Sequence, residues 1–188
     1  MKIFRKILIL LLVALITIQF IRPQKNISVN KGAYDITSHF VVPNDVENIL
    51  KISCYDCHSN NTAYPWYWQI QPVAWFMNGH IKDAKKALNF SIFTSYNAGK
   101  QYKEFDHIKS EVKKDDMPIS SYILIHRNAI LKDSQKLAIY NWTQACRKQM
   151  ETTYSPDSLK TTDKRREDQL QLLSLRSFSS SIIKIFKV

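Results

Sequence analysis

Cys54-Tyr55-Asp56-Cys57-His58 constrains this chain more than any other stretch. Two thiols stand three residues apart, about one helical turn, so both project to one side. An imidazole follows at once. Two thiols so spaced can each add across a vinyl group on the edge of one porphyrin, and the adjoining imidazole then falls beneath the iron. Cys-x-x-Cys-His is the sequence sign of c-type haem attachment, with His as the proximal ligand. A thioredoxin-like pair would want a βαβ pattern, and a zinc site a second Cys/His pair at short spacing. This chain lacks both patterns. The expected cofactor is one covalent haem c, bound through Cys54 and Cys57, with His58 on the iron.

A six-coordinate iron needs a distal ligand. Met117 is the candidate: it precedes Pro118 in a loop, 59 residues after His58. A thioether on a loop can swing over an open haem face, whereas a Met on a packed helix fills core. Met77 and Met150 are expected to fill core. His80 is the alternative distal ligand, on a helix face shared with Phe76 and Ala84. His126 is a candidate hydrogen-bond partner for a haem propionate. His107 falls on the solvent side of its helix, and His39 in a tether. Tyr64, Trp66, Tyr67, Trp68, Trp75 and Phe76 are enough to wall a haem pocket. Cys146 reads as a small buried residue.

The chain has 188 residues with 45% hydrophobic, enough for one core. It has only three glycines, far apart, so no Gly-rich phosphate loop exists and a hairpin-rich β fold is disfavoured. Residues 7–21 carry no charge and follow Lys2, Arg5 and Lys6; Arg22 and Pro23 close the run. Residues 1–25 are therefore read as a secretion signal or membrane anchor, with an uncleaved anchor preferred because no small-x-small site precedes Arg22. Either reading puts the rest outside the cytoplasm. Residues 26–42 read as a tether, 43–151 as the haem-binding domain, and 152–188 as a poorly ordered extension rich in Ser, Thr and charge. Within the domain, apolar spacing predicts helices from Pro43 through Cys57, after Pro72, over 102–113, and from Asp133 or Ser134 to about Met150. Residues 89–99 read as a loop and 122–130 as a short helix. The net charge of +11 includes four residues that flank the apolar segment, so no nucleic-acid partner is expected.

The block from Cys54 to Tyr67, with Gln71-Pro72-Val73-Ala74-Trp75, His80, Met117-Pro118-Ile119, Tyr122, His126 and Trp142, resembles the small bacterial haem-binding domain family related to c-type cytochromes. The run from Gln19 to Pro23 is similar to the end of that family's N-terminal segment. The resemblance covers about residues 8–151. It implies thioethers at Cys54 and Cys57, a proximal His58 and a distal Met-Pro loop. The expected fold is all-α and cytochrome c-like, with the haem supplying much of the interior. The expected function is one-electron transfer by a membrane-tethered, periplasm-facing mono-haem protein with a redox partner. No substrate-processing group of residues is evident, so an enzyme is not expected. A peroxidase component or a small-ligand sensor with a displaceable distal ligand is the alternative.

Overall fold

A computed structural model describes residues 2–28 and 32–160. Among these stand seven α-helices and no strand: α1 (Lys2–Ile18), α2 (Asn44–Ser53), α3 (Tyr55–His58), α4 (Val73–Ala87), α5 (Ala98–Lys113), α6 (Ser120–Ile123) and α7 (Asp133–Thr153). Short 3-10 turns occupy Ile36–Ser38, Trp66–Gln69, Phe90–Ser95 and Arg127–Ala129. The all-α expectation holds.

Local chemistry sets the helix ends. Asp45 and Glu47 lie in the first turn of α2, where acidic groups favour the positive end of the helix dipole. Asn97 caps α5 by accepting from the Lys100 N–H at 2.8 Å. In α7 the Gln135 Oε1 accepts from the Lys132 N–H at 2.9 Å. Past the end of α5, Asp115 turns left-handed at φ 61°. That residue reverses the chain, and the N–H groups of Asp116 and Met117 return to the Glu111 carbonyl at 3.0 and 3.3 Å. The Met117 loop is thereby fastened to the helix before it.

The core lies between α2, α5 and α7. Phe105 is fully buried at its centre. Phe40 and Phe93 meet it at ring distances of 4.9 Å, and Trp142 meets it edge-on at 5.7 Å. Such edge and tilted contacts add to burial.

Two expectations need correction. Among its described residues the 26–42 segment is not a tether: Ile36 and Phe40 are core residues, and Asn26 donates from its backbone N–H to Tyr64 Oη and from Nδ2 to the Ser59 carbonyl. The 89–99 stretch is not a plain loop: Phe90 and Phe93 are fully buried. The apolar N-terminal segment does form a helix with exposed apolar side chains. However, no described helix is long and apolar enough to cross a membrane. Past α7, Leu159 still packs against the core. The rest of the expected extension, 161–188, lies outside the described residues.

Candidate cofactor site

The Cys-x-x-Cys-His stretch is a break between helices, followed by one tight turn. Cys54 ends α2, and its N–H still bonds to the Leu50 carbonyl. Its own carbonyl accepts from the N–H groups of Cys57 at 3.2 Å and His58 at 2.9 Å. The three functional residues are thus fixed by one carbonyl. The polar turn after them is pinned as well. Thr62 Oγ1 donates to the Asp56 carbonyl at 2.6 Å, and Asn26 Nδ2 donates to the Ser59 carbonyl at 2.8 Å.

His58 Nδ1 lies 3.0 Å from the carbonyl oxygen of Leu88, just past the end of α4. A carbonyl only accepts, so Nδ1 carries the proton and Nε2 keeps its lone pair. Burial holds the imidazole below its usual pKa, partly offset by the carbonyls of Leu88 and Ala84. The ring is therefore neutral at pH 7, the form that binds a metal. Burial, with help from Cys57, pushes the Cys54 thiol up to about 12. Burial and the Asp56 charge push Cys57 up to about 11. Both sulfurs stay protonated, neutral and unpaired.

These residues form one wall of a cavity of about 560 Å³. The opposite parts come from Met117, Pro118 and Ile119 on the loop after α5, and from Trp75, Phe76, Gly79, His80, Asp83 and Ala87 on α4. The size falls within the usual range for cofactor and ligand sites, and the lining is mostly apolar. A Cβ added at Gly79 would meet no atom within 4 Å. That glycine keeps the α4 wall flat and leaves open space in front of it. Phe76 lines the same wall yet is exposed. Apolar surface without a protein partner, two thiols and an imidazole with a free Nε2 together fit a haem.

All five predicted site residues, Cys54, Cys57, His58, Met117 and His80, line this one cavity. His80 donates from Nδ1 to the Phe76 carbonyl at 3.0 Å, and its ring rests on Phe76 at 4.2 Å. A side cavity of about 150 Å³ adjoins, sharing Cys57, Phe76, His80 and Tyr122. There Tyr67 Oη meets His126 Nε2 at 2.6 Å, and Tyr122 stacks on His126 at 4.2 Å. Tyr122 Oη also donates to Asp56 Oδ2 at 2.8 Å. Burial and the Asp56 carboxylate hold that phenol well above its ordinary pKa.

The aromatic block divides. Trp75, Phe76 and Tyr67 line the two cavities, Trp68 is buried against Tyr64, and Trp66 points to solvent. Met77 borders the side cavity instead of filling core. His107 and His39 are exposed. Sequence reasoning missed Gly79, Asp83, Ala87 and the Leu88 carbonyl. The small residues at 79 and 87, two helical turns apart on α4, were the available signal.

A helical protein with a thiol-and-imidazole wall on an apolar cavity is a binding protein for a large flat cofactor. The chain belongs to the haem-binding domain family, whose model matches residues 13–145. Haem is therefore the ligand of this domain. The comparisons with curated proteins and with solved structures returned no match.

Proposed function

We propose that the chain is a membrane-tethered, extracytoplasmic mono-haem protein of c-type cytochrome character that carries single electrons. The observation behind this reading is one shared cavity for Cys54, Cys57, His58 and Met117. Haem bound there would supply an iron centre that alternates between ferric and ferrous. The chain's own residues do the rest. Cys54 and Cys57 would hold the haem through thioether bonds. His58 offers Nε2 because the Leu88 carbonyl holds Nδ1–H, an outer contact that also orients the ring and raises its basicity. Met117, on a loop fastened to Glu111, would offer its thioether to the iron. His80 is the alternative, and bis-histidine ligation would lower the potential relative to His/Met. The apolar wall excludes water from the metal. The basic surface docks an acidic redox partner and speeds the encounter. α1 is the tether, with Lys2, Arg5 and Lys6 on the cytoplasmic side.

The test is a visible spectrum, ferric and ferrous, on protein co-expressed with a c-haem maturation system. The expected result is covalent haem that survives denaturing electrophoresis. Its ferric form should be low-spin with a weak far-red band that Met117→Ala abolishes. Ferrous protein should resist carbon monoxide. A high-spin ferric spectrum with ready carbon monoxide binding would move the reading to a peroxidase component or small-ligand sensor. No covalent haem would overturn it.

A further inference from the structure

α1 is about 26 Å long at ~1.5 Å per residue, against roughly 30 Å of hydrocarbon in a bilayer. The apolar surface does not stop at its end. Phe20 and Ile21 continue it, both exposed. From there the chain is fastened to the domain. Gln19 Nε2 donates to the Gln71 carbonyl at 3.2 Å, and the Gln71 N–H donates back to Gln19 Oε1 at 2.9 Å. Gln71 Nε2 and Trp75 Nε1 both donate to the Ile21 carbonyl, at 3.1 and 2.9 Å. Four hydrogen bonds, three of them part-buried, leave the domain little freedom to swing on α1.

The fastening brings apolar side chains beside the end of α1. Trp75 comes from the first turn of α4, and Trp66 and Ile70 from the segment before it. The Tyr67–His126 bond ties that segment to Leu124 and Ile125. Trp66 is 77% exposed, Leu124 65% and Ile125 60%. Tryptophan and aliphatic side chains next to an apolar helix have the composition of a membrane interface. Exposed large apolar side chains grouped on neighbouring segments mark an interaction surface more often than a face that meets only water. Charge agrees. Lys25, Lys82, Lys85 and Lys86 border a recess that Pro23 also lines, just past the end of α1. Lysines there complement lipid phosphates.

We propose that this collar of Trp66, Ile70, Trp75, Leu124 and Ile125 lies in the headgroup layer of an anionic bilayer. The domain then rests on the membrane, with the Trp75 rim of its cavity turned toward lipid. This rests on α1 being the tether and adds that the domain is held down on the lipid surface.

Spin-label depth measurement on the full haem-loaded chain tests it, in vesicles of phosphatidylethanolamine and phosphatidylglycerol. Single nitroxides are placed by Leu11→Cys, Trp66→Cys, Leu124→Cys and Gln144→Cys, with the parent chain as labelling background. Labels at 11, 66 and 124 should collide more with oxygen than with a polar nickel chelate, and the label at 144 should show the reverse. If 11 reads as buried in lipid while 66 and 124 read as aqueous, the tether stands and the collar is overturned. If 11 is aqueous too, the tether reading falls with it.

Discussion

Replacing Ile36 by Ala asks whether residues 32–42 belong to the domain or merely lead to it. Ile36 is fully buried and packs in one core with Phe40, Phe90 and Phe93. The change deletes three carbons, about 2.4 kcal/mol at ~0.8 kcal/mol per buried group. The neighbouring rings are held by one another, so the hole closes incompletely and a cavity cost is added. The expected loss is about 3–4 kcal/mol. In a urea titration followed by far-ultraviolet circular dichroism, that is a midpoint shift of roughly 1.5–2 M at a slope near 2 kcal/mol per M. The slope itself should not change. Val41→Ala is the control from the same segment: its side chain is 83% exposed, and it should cost under about 0.5 kcal/mol. If Ile36→Ala is as mild as Val41→Ala, the packing argument is wrong and the segment is a tether after all.

Gly79→Leu should fill the open space on the α4 wall and reduce haem per chain, measured by pyridine haemochrome. Its helix content should hold, because leaving Gly gains up to about 1 kcal/mol of helix propensity; full haem loading would show that Gly79 does not face the cofactor. Tyr122→Phe leaves the Asp56 carboxylate short of one donor and should cost about 1–2 kcal/mol in the same urea assay. No change there would mean that water replaces the phenol. Burial pushes the Cys146 thiol up to about 12, so at pH 8 only about one in ten thousand is thiolate. Mass spectrometry should find Cys146 unmodified by iodoacetamide in the folded protein and modified in urea. Rapid labelling of the folded protein would contradict its burial.

How much was legible in advance depended on how local each cause is. The spacing of Cys54, Cys57 and His58 is local chemistry on one turn, so the cofactor could be read from residues alone. The starts of α2, α4 and α7 were also legible, because Pro, Asp and apolar periodicity act within a few positions. Met117 and His80 were selected from residue type and context, and the fold brings both to one cavity. Other features depend on partners distant in the chain. Ile36 and Phe93 read as unstructured because their short segments have no period; Phe93 becomes core by meeting the ring of Phe105, brought in by α5, and Ile36 by joining the same cluster. On α4, apolar periodicity marks a face to be covered but cannot say by what. The inner side takes Ala74 and Ile81 against protein, while Phe76 and Gly79 are left for a flat cofactor. The proton on His58 Nδ1 is likewise a tertiary decision, since the carbonyl that holds it belongs to Leu88, 30 residues away. The sequence alone determined which atoms could bind haem; the packing of distant segments decided where those atoms stand and what surrounds them.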